Sequence, residues 1–157
     1  YLLASDRRWA ESEKAFAATF LLDPNHADAM IMCAELAVMA GNPAEGINLT
    51  KRAFRLNPHP SGWYYWELGL AQYAGRDYEA AVKTLRTEAT YRTASRRILA
   101  ASLAQLGRHD EAVREGQIFL ANNPDFTISR WASRQPARDA AMLEHFVDGY
   151  RKAGLPD

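Results

Sequence analysis

The sequence predicts an all-α fold: a right-handed α–α superhelix of stacked helix hairpins with a C-terminal capping helix. Apolar residues recur at intervals of three and four along most of the chain, which is the period of a helix that buries one stripe. A glycine turn, an amphipathic helix and a closing proline follow one another from Gly41 to Pro58. Pro24 lies 34 residues before Pro58, and Pro124 closes a later copy, so the unit repeats.

The repeats divide the chain into hairpins and an end segment. The first hairpin lacks most of its first helix, because Tyr1 to Ala4 falls where the end of that helix is expected. We therefore expect the sequence to be a piece of a longer protein. The predicted units are 1–24, 25–60, 61–92 and 93–124 for the hairpins and 125–157 for the capping segment and helix.

The first predicted helix runs from Asp6 or Arg7 to about Leu22. Trp9, Phe16 and Phe20 are spaced so that they share one helix face, and we expect this face to be buried. The Asp-Pro-Asn sequence that follows is typical of a helix end.

The second hairpin has clear signals at its turn. Its first helix is predicted from about Ala27 to Ala40, and Gly41 supplies the left-handed residue that closes a helix. Asn42 and Pro43 then form a typical helix start, with asparagine as the cap and proline in the first turn. Cys33 is predicted to be a small core residue of this hairpin.

The third and fourth hairpins continue the pattern. In the third, Leu68 and Gly69 follow Tyr65, and the glycine is expected to let the partner helix approach closely. In the fourth, Gly107 is the turn between helices predicted at about 95–106 and 110–121. A last helix is predicted from about Ala137 to Ala153, with its polar face toward water.

Taken together, these residues resemble the tetratricopeptide repeat family over nearly the whole chain to Pro124. The signature residues are Leu68, Gly69, Tyr78, Ala81, Gly41, Gly107, Ala112, Ala53 and the three closing prolines. The resemblance implies a stack of hairpins in which the first helix of each hairpin lines a concave groove. A groove of this kind binds peptides or partner domains.

Projecting the repeat onto the sequence gives the residues that should line the groove. Trp63, Trp66, Leu70 and Tyr73 are spaced by three and four residues and form one stripe on a single helix. Aromatic residues near an arginine are the types that anchor protein ligands. The predicted partner-binding groove comprises Glu35, Trp63, Trp66, Leu70, Tyr73 and Arg97, with the two charged residues selecting the charge of the partner.

The end of the chain carries a narrower resemblance. The stretch NPDFTISRWASRQP and the later LEHFVDGYRKAGLPD are similar to the C-terminal regions of bacterial signalling proteins. In those proteins, repeats follow a class III adenylate or guanylate cyclase domain, and related regulators carry a DNA-binding head. The resemblance implies a sensory or interaction region attached to an effector domain.

Composition and motifs argue against other classes of function. The 19 basic and 19 acidic residues balance, so we expect no nucleic acid partner for these residues. No apolar run reaches the roughly 18 residues of a membrane span. His109-Asp110-Glu111 is an ordinary helix start, and His145 lacks the second histidine of a helical zinc site. We therefore predict no catalytic, cofactor or metal site. The single cysteine favours a reducing, cytoplasmic setting.

The leading hypothesis is therefore a non-enzymatic interaction or sensory module that binds a peptide or partner domain in its groove. The sequence leaves three alternatives open. The module could regulate an attached nucleotide cyclase, act as the sensor of a transcription regulator, or associate with a second copy through an apolar face near Trp9 and Phe16. The sequence also leaves open whether the groove is free or filled by the C-terminal segment.

Overall fold

The computed structural model describes residues 6–87 and 93–157, with only the backbone of residues 93 and 94. All regular structure in these ranges is helical. The helices are α1 (Trp9–Leu22), α2 (Ala27–Met39), α3 (Pro43–Leu56), α4 (Gly62–Ala74), α5 (Tyr78–Leu85), α6 (Thr93–Gln105), α7 (His109–Asn122), α8 (Ile128–Ser133) and α9 (Ala140–Lys152).

Consecutive helices pair as hairpins: α2 packs on α3, α4 on α5, and α6 on α7. Two of the turns use the glycines that the sequence predicts, because Gly41 has φ of 83° and Gly107 has φ of 74°. The turn between α4 and α5 differs. There Arg76 takes the left-handed conformation with φ of 63°, and Gly75 before it is the C-cap with φ of −76°.

Side-chain caps fix where several helices begin. The Asn42 side chain accepts a hydrogen bond from the backbone N–H of Glu45 at 3.3 Å, as the sequence predicts. The Asp77 carboxylate caps α5 in the same way. Asp139 accepts from two backbone N–H groups at the start of α9, so this helix begins three residues later than Ala137, its predicted start.

Close packing between α4 and α5 depends on Gly69. A Cβ atom added to Gly69 would overlap the side chain of Leu85 on α5. The prediction that this glycine lets its partner helix approach is therefore confirmed.

The first helix is less buried than predicted. Ser12 is the only buried residue of α1, while Trp9, Phe16 and Phe20 are half-buried. These three residues line a cleft between α1 and α2, and α2 does not pack closely enough to bury them. The prediction of a buried stripe was therefore wrong in its degree of burial.

The C-terminal helix completes the core. Helix α9 packs across α2, α4 and α6, the first helices of their hairpins, and against α8. Phe146 and Tyr150 are fully buried in a core cluster that extends from Val38 on α2 to Leu155 near the C-terminus. A smaller cluster lies nearer the N-terminus and contains Met30, Ile31, Ala53 and Tyr64.

Some sequence-based expectations fall outside the described residues. These are the assignment of Tyr1 to Ala4 to a preceding helix and the boundary between hairpins at residues 92 and 93. The division into units 1–24, 25–60, 61–92, 93–124 and 125–157 stays a prediction.

Candidate functional site

Helix α9 occupies part of the wall that was expected to form the groove. In a stack of helix hairpins, the first helices line the concave side, and α9 contacts the first helices α2, α4 and α6. At its start, the backbone N–H groups of Arg138 and Asp139 donate to the carbonyl of Met39 at the end of α2. At its end, the Lys152 ammonium donates to the Gln105 side chain at the end of α6.

Two of the predicted groove residues are buried in this structure. Leu70 is 3% exposed and Tyr73 is 0% exposed. A Cβ atom on Gly149 of α9 would lie 2.9 Å from Cζ of Tyr73 and 3.2 Å from Cβ of Ala101, so the backbone of α9 lies directly against this wall. Leu70 and Tyr73 are therefore unavailable to a partner while α9 stays in place.

The two tryptophans of the stripe are half-buried. Trp63 packs edge-on against Tyr64, with ring centroids 5.1 Å apart, and borders the smaller cluster, to which α9 contributes nothing. Trp66 packs against the larger cluster, and its indole N–H is buried without a hydrogen-bond partner. Part of each ring remains accessible.

Glu35 lies near a buried acid that the sequence gave no reason to single out. Glu67 on α4 is 1% exposed, and its Oε1 has no hydrogen-bond partner. Burial raises the pKa of the Glu67 carboxyl well above its usual value, and the nearby Glu35 raises it further. Glu35 itself is half-exposed on α2.

Arg97 packs among aromatic rings other than those of Trp63 and Trp66. Its guanidinium is surrounded by aromatic rings from α7, the following loop, α8 and α9, and it lines a cavity of about 490 Å³. None of the other predicted groove residues lines this cavity. The assignment of a partner-binding groove to all six residues stays a prediction.

Sequence reasoning missed the residues that enclose Arg97. These are Phe119, Phe126, Trp131 and Tyr150, whose ring centroids lie 5.3 to 5.7 Å from the Arg97 Cζ. The concentration of aromatic residues after Pro124, where the repeat stops, was the available signal. A repeat projection cannot place such a segment, because the segment has no equivalent in the other hairpins.

A second cavity, the α1–α2 cleft, has a volume of about 410 Å³ and is mainly apolar. Cys33 lines it and is half-buried, where the sequence predicted a core position. Burial raises the pKa of its thiol to about 11, so the thiol stays protonated near neutral pH. The side chains in the cleft are Trp9, Phe16, Phe20, Cys33 and Leu36, with Glu13 and Arg138 at its edge.

Residues 6–87 and 93–157 contain neither a metal-binding cluster nor a membrane-spanning helix. No group of three or more histidine, cysteine, aspartate or glutamate side chains there could hold a metal ion. None of the helices described in these ranges combines the length and the apolarity that a membrane crossing requires.

Comparison with known structures identifies the fold. A crystal structure of MamA aligns with a TM-score of 0.61 at 19% sequence identity, over 94% of this chain and 89% of that one. A second, of MamA protein, gives a TM-score of 0.60 at 19% identity, over 98% and 87%. The fold is of the tetratricopeptide-repeat type.

This tetratricopeptide-type fold confirms the predicted class, including its helical hairpins. No protein-family model and no curated protein matches the sequence. The likeness to MamA, at 19% identity, is one of fold. The comparisons give no support to the resemblance between the chain's end and cyclase C-terminal regions.

Proposed function

We propose that this protein is a non-catalytic interaction module that binds a peptide or a domain of a partner protein. The proposal rests on the tetratricopeptide-type stack, in which first helices present side chains on one wall. It rests most directly on Trp63 and Trp66, which are both half-buried on α4. Half-buried aromatic rings can gain further burial when a partner binds, and such residues often dominate interface energies.

In this proposal, α9 covers one part of the wall and leaves the other part to the partner. Its contacts cover Tyr73 and Gln105, near the ends of α4 and α6, whereas Trp63 lies in the first turn of α4. A partner would therefore bind beside α9, on the part of the wall that includes Trp63 and Glu35. Glu35 would favour a basic group on the partner there.

A peptide display selection on the immobilised protein tests this proposal. Selected peptides should lose at least about tenfold in affinity for Trp63→Ala, because removing a central aromatic anchor costs about 2 kcal/mol. Trp9→Ala is the matched control, since Trp9 lies in the α1–α2 cleft. Peptides that bind Trp63→Ala and Trp66→Ala as well as they bind the unchanged protein would refute the assignment.

Self-association is a second candidate function, favoured by the apolar surface of α1. Leu21 and Leu22 are 86% and 89% exposed, and they follow the α1–α2 cleft along the same helix. Exposed apolar side chains of this kind commonly mark an interface. Leu21 and Leu22 lie about 100° and 160° around the helix from Phe20, so a second copy on the cleft side of α1 would bury mainly the cleft residues.

Sedimentation at several protein concentrations tests this second function. We expect a concentration-dependent dimer that Phe16→Asp converts to a monomer, because a charge would enter the apolar contact. Trp63→Ala should leave the dimer unchanged. A protein that stays monomeric over the whole concentration range would exclude self-association through α1.

The resemblance of the chain's end to bacterial signalling proteins supports a further part of the proposal, namely that the module regulates an attached effector. A nucleotide cyclase domain and a DNA-binding domain are the two alternatives. The parent reading frame distinguishes them, since a class III cyclase domain carries paired metal-binding aspartates and a regulator carries a helix-turn-helix.

A further inference from the structure

The cavity beside Arg97 is rich in positive charge. Arg97, Arg130 and Arg134 all line it, and Asp125 is the only acidic residue in its lining within residues 6–87 and 95–157. No described carboxylate forms an ion pair with any of these three arginines. The described lining therefore carries two net positive charges after Asp125 is counted.

The neighbouring arginine behaves differently. Arg96 forms an ion pair with Glu115 on α7, and both of these side chains are about one-fifth exposed. Arg97 follows it in α6 but its side chain enters the aromatic cluster instead. Of these two adjacent arginines on α6, Arg96 has an acidic partner, whereas Arg97, which faces the cavity, has no described one.

The aromatic rings hold the Arg97 guanidinium in a fixed position. Its Cζ lies 5.3 Å from the Trp131 ring centroid and 5.4 Å from that of Tyr150, within the range of a cation–π contact. The Nε–H donates to the Tyr150 hydroxyl at 3.1 Å. The terminal Nη1 and Nη2 groups donate to no group that the structure describes.

Tyr150 cannot neutralise this charge. Burial raises the pKa of the Tyr150 phenol, so the hydroxyl stays protonated near neutral pH. It accepts a hydrogen bond without supplying a negative charge. A half-buried guanidinium without a counter-ion favours the entry of an anion, because the anion pairs with the charge and satisfies its free N–H groups.

We propose that this cavity binds a small organic molecule through a carboxylate or phosphate group. The two terminal nitrogens of Arg97 would hold the oxyanion, and Arg130 and Arg134 would contact it or attract it from the rim. The rings of Phe126 and Trp131 would pack against the body of the ligand. The volume of about 490 Å³ lies within the range of small-molecule sites.

This proposal does not depend on the partner-binding function. The cavity is formed by α6, α7, α8 and the loop between the last two, and it contains neither Trp63 nor Glu35. If peptides fail to bind at Trp63, the proposed anion site in the cavity is unaffected. If anions fail to bind in the cavity, the proposed peptide site at Trp63 is unaffected.

The test is an NMR titration with matched small probes. Benzoate and phenyl phosphate carry the two oxyanions on an aromatic body, while benzyl alcohol and benzylamine are the neutral and cationic controls. We expect the anions to shift the Arg97 Nε–H and Trp131 indole N–H signals with dissociation constants of about 1 mM, as suits ligands of this size. The two anions, compared with inorganic phosphate, show which oxyanion the site prefers.

Variants separate binding from folding. Arg97→Gln should weaken binding of the anions at least tenfold, since it removes the positive charge and the paired N–H donors of the guanidinium. Arg130 and Arg134 are exposed, so the double variant Arg130→Gln/Arg134→Gln should fold normally, bind several-fold more weakly and show a reduced salt dependence. Arg114→Gln, an exposed arginine on α7 outside the cavity, is the control and should bind normally.

Three results would overturn the proposal. The first is equal shifts from benzyl alcohol and benzoate, and the second is anion binding that is unaffected in both the Arg97 and the rim variants. The third is a shift of the Arg97 and Trp131 signals by a glutamate-rich peptide with no shift by the small anions. That result would make the cavity part of a protein interface.

Discussion

The phenol of Tyr73 donates a hydrogen bond to the backbone carbonyl of His145, 72 residues later in the chain, at 3.0 Å. The His145 Nε2 lies 3.2 Å from the Tyr73 carbonyl in return, and the two rings stack with centroids 4.7 Å apart. Burial raises the pKa of Tyr73, so its hydroxyl remains a donor. This reciprocal pair links α4 of the hairpin stack to α9 through both a hydroxyl and a ring.

Tyr73→Phe should lower the free energy of unfolding by about 1 kcal/mol, the usual net value of one buried hydrogen bond. The ring and its packing are kept, so the change isolates the hydroxyl. Urea denaturation followed by circular dichroism gives the value. Tyr65→Phe is the control, because Tyr65 is half-buried and should change stability little.

His145 should make stability depend on pH. Burial lowers the pKa of the His145 imidazole below its usual 6.5, so the unfolded state takes up a proton before the native state does. Stability should therefore decrease as pH falls below about 6.5. The charged groups that act on the ring are Arg76 and Lys152, which lower the pKa further, and Asp148, which raises it.

Denaturation at several pH values between 5 and 8 measures this effect. His145→Gln should remove the part of the pH dependence that belongs to this residue. If the difference between the unchanged protein and the variant is constant across the range, His145 is not the group responsible.

Glu67→Gln should stabilise the protein near neutral pH. The pKa of the Glu67 carboxyl is about 4.5 in the unfolded chain and higher in the native protein. Below pH 4.5 the group is neutral in both states, and its burial costs little. Above pH 4.5 the unfolded chain loses the proton first, so the free energy of unfolding falls as the pH rises. A neutral amide avoids that cost, and we expect a gain of about 1 kcal/mol or more at pH 7. The gain should shrink toward pH 4.

Glu144→Gln is the control for this change, since Glu144 is exposed on α9. It should alter stability by less than about 0.5 kcal/mol. A Glu67→Gln variant that is less stable than the unchanged protein at pH 7 would show that the ionised acid has a stabilising partner.

Gly149→Ala should displace α9 from the wall. The added methyl would overlap the Tyr73 hydroxyl and lie 2.9 Å from Cζ of that ring, and overpacking of this kind costs about 1–3 kcal/mol. Gly75→Ala is the matched control, because its nearest neighbour is an ordinary 3.4 Å away and its φ of −76° suits alanine. Equal stability of the two variants would contradict the close contact between α9 and α4.

The local features of the fold could be predicted because they depend on neighbouring residues. Gly41, Asn42 and Gly107 set turns and caps through their own backbone or side-chain chemistry. Gly69 was predicted from the repeat signature, in which a glycine follows a leucine. Arg76 was not predicted, because it takes the left-handed conformation next to a glycine that would adopt it more easily.

The candidate sites were harder to predict, since they depend on segments outside the repeat. The projection placed Tyr73 and Arg97 on the groove wall, but it could not show that α9 and the loop at Phe126 would cover them. Nor could it show that α1 would leave Phe16 half-exposed, because burial there depends on what packs against that helix. Burial of single residues follows from tertiary packing, which a periodic pattern does not determine.

Helix α9 also limits how many hairpins can lie between its two anchors, Met39 and Gln105. It is 13 residues long, about 20 Å, and it reaches from the Met39 carbonyl at one end to Gln105 at the other. A hairpin inserted between α3 and α6 would move these anchors about 10 Å further apart, beyond the reach of the same helix. Many arrays of this kind can lengthen by duplicating a unit, whereas here the duplication would have to be matched by about two further turns of C-terminal helix.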